Sequence, residues 1–388
     1  MATSNVAALL TPPGAGAIAV VRVAGPEARH VIEQLFEPAD AASTALAPNR
    51  LRYGRFRIDG EIVDDVIVSQ FVINGVPVAD VSAHGGVRIV ERILQALEDQ
   101  GVKFEDAGSL LSWSAENKIE LEILEALGRA KTERAVRFLS MQRLRLVCEI
   151  QRVAGLISDG KLAAMDALQD LLSGYMAARR LIEGVSIALV GPANSGKSTL
   201  FNALLGRGAA VVSQQPGTTR DWVEASLEWD GLSVRLIDSA GTREHAGELE
   251  RQALEAGYLK ISEADLRILV LDGTGYNMHQ TVDGVKGLGA PMIVVLNKSD
   301  LKSFSSAAKP FGTETGETQP IQLSARMGTG VDGLGRRMAH MMQLDILEDR
   351  RPTLFTERQR DVAESVLSDV RERGGQAEKI LTDEMIGL

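Results

Sequence analysis

The run Gly191-Pro192-Ala193-Asn194-Ser195-Gly196-Lys197-Ser198 carries the strongest chemical signal in the chain. It directly follows the apolar run Ile187-Ala188-Leu189-Val190 and opens an apolar helical pattern at Leu200-Phe201-Asn202-Ala203-Leu204. In that strand, loop and helix setting, glycines let successive backbone N–H groups converge on an anion. Lys197 adds a point charge near the β- and γ-oxygens of a nucleotide, and the Ser198 hydroxyl is a Mg²⁺ ligand. Gly191, Ser195, Gly196 and Thr199 belong to the same phosphate cradle. A chance glycine-rich turn is the competing reading of this stretch taken alone.

Three downstream signals at suitable intervals displace it. Asp238-Ser239-Ala240-Gly241 ends the run Val234-Arg235-Leu236-Ile237, which brings a carboxylate toward Mg²⁺ and the Gly241 N–H toward the γ-phosphate. Asn297-Lys298-Ser299-Asp300 ends Ile293-Val294-Val295-Leu296. Asp300 can accept both N–H donors of the guanine edge, where adenine has no matching pair, so the site should choose guanine. Ser324-Ala325-Arg326 supplies a backbone N–H for the guanine oxygen. The expected ligands are GTP and GDP, and the expected activity is hydrolysis of GTP to GDP and phosphate.

Between the first two signals lies Pro216-Gly217-Thr218-Thr219-Arg220-Asp221. A hydroxyl from Thr218 or Thr219 is expected to reach Mg²⁺ and sense the γ-phosphate; the spacing does not choose between them. A glutamine to orient water is missing, because Thr242 and Arg243 follow Gly241. Glu250 is the candidate for that task, against the plainer reading of a solvated helix charge. An arginine finger is also not evident, which invites a cation in its place.

These residues need elements to hold them. The apolar runs from Ser186 to Val190, Val234 to Ile237, Ile268 to Leu271 and Met292 to Leu296 alternate with helical patterns, as in a parallel sheet covered on both faces. A helix ending near Leu344 should follow Arg326, and residues 302–319 read as a surface loop. Upstream, Ala17 to Val21 and Val63 to Val68 read as strands, Ala28 to Phe36 and Arg88 to Leu97 as helices. From Ser112 to Glu183 the apolar spacing predicts long packed helices, and another from Thr356 to about Arg373. The expected bounds are a small α+β domain over 1–110, helices over 111–184, an α/β P-loop GTPase domain over 185–345 and a short helical segment over 346–388.

With 388 residues, two or three domains are expected. A composition of 45% hydrophobic and 24% charged residues reads as a soluble globular chain. No apolar run approaches the ~20 residues that a membrane helix needs, and the first residues lack the basic region of a signal peptide, so the cytoplasm is the expected address. A lone Cys148 forms neither an internal disulfide nor a zinc site. The formal charge of −10 opposes non-specific adhesion to nucleic acid or anionic membrane. Arg129, Lys131, Arg134, Arg137, Arg143, Arg145 and Arg152 cluster in one helical stretch, where a solvated face is the plain explanation.

The motifs resemble those of the MnmE or TrmE tRNA-modification GTPases. In that family an Asn stands three residues before the loop Lys, as Asn194 does here, and the switch reads Gly-Thr-Thr-Arg-Asp, as at Gly217 to Asp221. The resemblance implies that Asn194, Gln214 and Thr218 hold a K⁺ ion beside the phosphates, that two GTPase domains meet across it, and that Glu250 orients the water. It implies that the helices flanking the GTPase domain form one domain into which the latter is inserted. It also implies a homodimer, a flavoprotein partner and tRNA as substrate, modified at the wobble uridine.

Thr11-Pro12-Pro13-Gly14 and the stretch Ile18 to Pro26 look like the family's amino terminus, whose domain dimerises and binds a tetrahydrofolate derivative. Val78 to Gly86 is similar to its next landmark, where Asp80 stands for the family's Glu. Arg22 and Asp80 are the folate candidates this implies. Plainer readings make Arg22 a strand-end surface charge and His84 a turn residue. Where the family ends in Cys-Ile-Gly-Lys, this chain reads Asp383-Glu384-Met385-Ile386-Gly387-Leu388. A regulatory paralogue that keeps GTP hydrolysis without folate or tRNA chemistry is therefore the alternative. A ribosome-assembly GTPase related to the Era/Der group is a third reading, which the Thr11 to Pro26 element disfavours.

Overall fold

The computed structural model describes residues 4–12, 14–40, 49–159, 161–208, 222–239, 262–274, 291–304, 311–313, 316–347, 351–372 and 376–387. The chain divides into two compact units, Met1–Glu125 with Gly387–Leu388, and Ala126–Ile386.

The first unit is built on a seven-stranded sheet of order β3-β4-β5-β6-β2-β1-β7. Its strands are β1 (Val6–Leu9), β2 (Ile18–Ala24), β3 (Phe36–Pro38), β4 (Leu51–Ile58), β5 (Glu61–Ile73), β6 (Val76–His84) and β7 (Lys103–Phe104). Neighbours run antiparallel except β1 and β7. Successive side chains face opposite sides of a strand, so Val21, Val23, Val66, Val68 and Val81 bury one face beneath α1 (Ala28–Leu35) and α2 (Val87–Asp99). On the other face Val6, Ala8 and Val78 meet Leu110 and Trp113 of α3 (Ala107–Ser114), whose first turn is capped by Asp106. The helix α4 (Lys118–Leu127) follows.

In the second unit, α5 (Glu133–Asp159), α6 (Lys161–Ser173) and α7 (Tyr175–Glu183) precede a six-stranded sheet of order β15-β12-β11-β8-β10-β9. Its strands are β8 (Val185–Val190), β9 (Trp222–Trp229), β10 (Leu232–Ser239), β11 (Leu266–Asp272), β12 (Met292–Asn297) and β15 (Ile321–Gln322), with α8 (Lys197–Leu205) after β8. All pairings are parallel except β9 with β10. Every residue of β8 and β12 is buried, which is why these strands read as near-continuous apolar runs. A helix α9 (Val331–Met341) follows the sheet, then α10 (Glu357–Glu372) and α11 (Ala377–Met385).

The last two helices return to the first three: α10 packs on α6, and α11 on α5 and α10. Buried Gln142 pins that return, donating to the Arg351 carbonyl and accepting from the Thr353 N–H, both at 3.0 Å. A P-loop GTPase domain is thus inserted into a helical domain and preceded by a small α+β domain. The turn between β9 and β10 rests on the start of α5, where Thr132 Oγ1, just before the helix, donates to the Gly231 carbonyl at 2.7 Å and Arg134 to that of Asp230 at 3.2 Å.

Two features depart from the sequence expectation. Within the expected surface loop, β13 (Phe311–Thr313) pairs antiparallel with β14 (Gly316–Thr318); strands this short carry no readable period. The helix α11 went unread, although Ala377, Leu381 and Met385 line its buried side four residues apart.

Candidate functional site

The carboxyl ends of β8, β10, β11 and β12 lie side by side, with β8 between β11 and β10. Consecutive parallel strands leave β8 in opposite directions there, the position in open α/β sheets where ligands bind. The loop after β8 turns with φ 137° at Gly191, 59° at Asn194 and 95° at Gly196. A Cβ on Gly191 would strike the Val270 carbonyl of β11, and one on Gly196 the side-chain amide of Asn297. Only glycine fits at either position. The helix α8 then begins at Lys197, so its free N–H groups open toward the loop.

Lys197 is 6% exposed, and its Nζ donates to the carbonyls of Gly191 at 2.9 Å and Pro192 at 3.0 Å. Burial lowers its pKa, against the smaller opposing pull of the Asp238 charge. Asp238 is 3% exposed and is the penultimate residue of β10, before Ser239. Its Oδ1 and the Oγ of Ser195 are buried with no hydrogen-bond partner among the described residues. Such orphaned groups cost about 1–3 kcal/mol each. A buried carboxylate oxygen beside an ammonium and an anion cradle fits a hard divalent cation carried by phosphate. Ser198 and Thr199 are exposed on the first turn of α8, and Asn194 is exposed on the loop.

Asn297 ties the phosphate loop to the last signal. Its Nδ2 donates to the Ser195 carbonyl and its Oδ1 accepts from the Ala325 N–H, both at 2.9 Å. Asp300 accepts from the Ser324 hydroxyl at 2.6 Å, which holds its carboxyl below the usual range and so keeps it an acceptor for N–H donors. The structure therefore brings together Gly191, Ser195, Gly196, Lys197, Asp238, Asn297, Asp300, Ser324 and Ala325. Gln214, Thr218, Thr219, Gly241 and Glu250 lie outside the described residues.

Sequence reasoning passed over Asp272. It ends β11 opposite Asn297 and pairs with Lys298 Nζ at 2.6 Å. Burial pushes its carboxyl up, but hydrogen bonds from Lys298 and Thr274 outweigh that and leave it below the usual range. A carboxylate at the end of an apolar strand run, as Asp238 stands near the end of β10, was the signal that could have found it.

In the first unit Arg22 and Asp80 are register partners on β2 and β6. Arg22 Nε and Nη2 donate to the two Asp80 oxygens at 2.7 and 2.8 Å, and the guanidinium lies 5.3 Å from the Phe71 ring centroid. That hydrogen bonding raises the Arg22 pKa. Arg22 is thus a mid-strand partner and not a strand-end charge. His84 closes β6, with Nδ1 2.7 Å from Asp64. The two amino-terminal landmarks meet, since a Cβ on Gly85 would strike the Gly16 carbonyl.

Comparison with known proteins finds matches to both units of the chain. The family described as GTP-binding protein TrmE N-terminus matches residues 5–111, and that described as 50S ribosome-binding GTPase matches 186–298. The tRNA modification GTPase MnmE of Chlorobium luteolum is 33% identical, over 89% of this chain and 82% of that protein. The protein of the same name from Moorella thermoacetica is 31% identical over 88% and 82%. Among solved structures, the G domain of the T. maritima FeoB iron transporter is 27% identical, covering 40% of this chain and 98% of that one with a TM-score of 0.33.

Proposed function

The chain belongs to the MnmE family of tRNA modification GTPases, and we propose that it hydrolyses GTP as a homodimer acting, with a flavoprotein partner, on the wobble uridine of tRNA in the cytoplasm. The observation that carries the GTPase half is the pair of orphaned buried groups, Ser195 Oγ and Asp238 Oδ1, gathered with Lys197 at the strand ends. No helix among the described residues is long and apolar enough to cross a membrane.

The phosphates of GTP lie along Gly191 to Ser198, bound by N–H groups of the loop and of the first turn of α8. Lys197 exchanges its two carbonyl acceptors for phosphate oxygens, which restores the charge partner that burial denies it. Ser198, Asp238 and a threonine of the Thr218-Thr219 pair are the residues that would hold Mg²⁺, which would supply positive charge to offset the phosphates. Asp300 accepts from the guanine edge, Ala325 and Ser324 close its carbonyl side, and Asn297 keeps both halves in register. Glu250 orients the attacking water and the Gly241 N–H donates to the γ-phosphate.

Asn194, Gln214 and Thr218 are the residues that would hold K⁺, which supplies positive charge where an arginine finger would. Of these only Asn194 is described, exposed and left-handed on the loop, open to such an ion. A tetrahydrofolate derivative fits less well at Arg22 and Asp80. Both carboxylate oxygens are engaged by the guanidinium, which leaves that pair no orphaned group for a pterin. No step is assigned to it.

The test is GTP hydrolysis in KCl against NaCl for the parent, Asn194→Ala and Glu250→Ala. Stimulation by K⁺ that Asn194→Ala removes, with turnover lost in Glu250→Ala under both salts, is the expected pattern. Equal rates of the parent in the two salts would refute the cation-assisted dimer.

A further inference from the structure

Asp272 plays no part in the reading above, yet both of its oxygens are committed. Oδ1 accepts from the Thr274 N–H at 2.9 Å and hydroxyl at 2.7 Å, and Oδ2 from Lys298 Nζ at 2.6 Å. The two ion-pair side chains are 31% and 32% exposed, and pairs so open to water add little to folding stability. What the pair does fix is the path of the lysine side chain.

Lys298 has a left-handed backbone, φ 68°, which residues bearing a Cβ seldom adopt and which persists where the surroundings enforce it. Those surroundings are visible. Asn297 is held by Ser195 and Ala325, the Ser299 N–H donates to the Leu323 carbonyl at 3.1 Å, and Asp300 is held by Ser324. Asp272 and Asn297 are register partners on adjacent strands, so the Lys298 stem crosses from the end of β12 to the end of β11. On one side of it Asn297 touches the phosphate loop, and on the other Asp300 reads the base. Lys298 stands in the chain between those two residues, so its stem leaves the backbone between the groups assigned to the phosphates and to the base.

Resting on the GTP reading, we infer that Asp272 is a positioning residue for the guanine subsite: by drawing the Lys298 ammonium across to β11, it lays the methylene stem along the path of the base. Long cationic side chains present their stems as apolar surface when the charged head is held elsewhere. Without Asp272 the ammonium turns toward solvent or the bound phosphates, and the base loses that apolar wall. Asp272 acts through Lys298 and does not touch the nucleotide.

The experiment measures dissociation of fluorescently labelled GDP, chased with unlabelled GDP, from the full chain. It compares the parent, Asp272→Asn, Lys298→Met and the double variant, with ADP as a second chase. Asp272→Asn should speed dissociation about five- to tenfold and leave association nearly unchanged. Methionine keeps an unbranched apolar stem without the charge, so Asp272→Asn should add little in the Lys298→Met background. Melting of the nucleotide-free protein should be the same for the parent and Asp272→Asn. Unchanged dissociation in Asp272→Asn overturns the inference. So does an equal acceleration in both lysine backgrounds, or a nucleotide-free melting point that falls with it, since either assigns Asp272 to the strand end alone. A parent whose label is chased as well by ADP as by GDP instead contradicts the guanine site itself.

Discussion

In the six-stranded sheet polar side chains gather where β8, β10, β11 and β12 end, whereas in the seven-stranded sheet Arg22 and Asp80 meet in mid-strand on β2 and β6. The two arrangements satisfy their charges differently. Arg22 and Asp80 use each other, through two hydrogen bonds and a register that lines them up. At the strand ends, Asp238 Oδ1 and Ser195 Oγ are buried with no partner among the described residues, and Lys197 rests on loop carbonyls. A charge that is already paired contributes to the fold. One that is buried and unpaired weakens the ligand-free fold and strengthens the hold on whatever pairs it. The difference separates residues that keep a domain folded from residues kept for a ligand.

That contrast can be broken most easily at Asp238. Replacing it with Asn should lower GTP turnover by about 10²–10³-fold, the scale of a group aimed at transition-state charge. The nucleotide-free melting point should hold or rise. A melting point that falls while turnover survives would make Asp238 another structural charge. Asn297 stands between the two cases, because it is fully bonded yet part of the site. Asn297→Ala leaves the Ser195 carbonyl and Ala325 N–H without their partner and should cost about 2–4 kcal/mol in denaturant unfolding, together with guanine affinity.

On the other side of the comparison, Asp80→Ala should cost about 1–2 kcal/mol of stability by leaving a half-buried guanidinium unpaired. GTP turnover should stay within about twofold of the parent by the rule that sites sharing no partner act independently. A loss of turnover would join the two sheets functionally and erase the contrast.

The smallest effect is one of pH. Burial lowers the Lys197 pKa from its unfolded value of 10.5, so the folded state binds fewer protons between the two values. Stability of the nucleotide-free protein should therefore be lower at neutral pH and recover as pH rises from the folded pKa toward the unfolded one. Lys197→Met should remove that alkaline recovery and melt higher at pH 7. A parent whose stability, relative to Lys197→Met, does not climb in that window would show that the two loop carbonyls already compensate the buried ammonium.

Much of the strand-end site was legible because its residues follow apolar runs at fixed offsets. Each motif begins where a buried strand stops, so Gly191, Asp238 and Asn297 could be aligned without coordinates. The bridge that Asn297 makes was not legible, since it joins residues whose nearness depends on strand order. The same holds for Arg22 and Asp80, 58 residues apart and facing only because β2 and β6 pair in one register. Asp272 was overlooked because its significance lies in a neighbour on the next strand. The paired helices around the GTPase domain were visible as apolar spacing, but α11 was too short for its pattern to stand out.

In the proposed function, the strand ends of the six-stranded sheet form a guanine-nucleotide site read by Asp300. Calorimetric titration of the full chain with GDP, ADP and XDP in the presence of Mg²⁺, for the parent and Asp300→Asn, tests it directly. The parent should prefer GDP over ADP by about 10⁴-fold, the selectivity of a site that must pair a base's own donors. In Asp300→Asn, the amide N–H can donate to the second oxygen of xanthine, so GDP binding should fall and XDP binding rise. Equal affinity of the parent for GDP and ADP, or a variant whose preference does not change, would contradict the account.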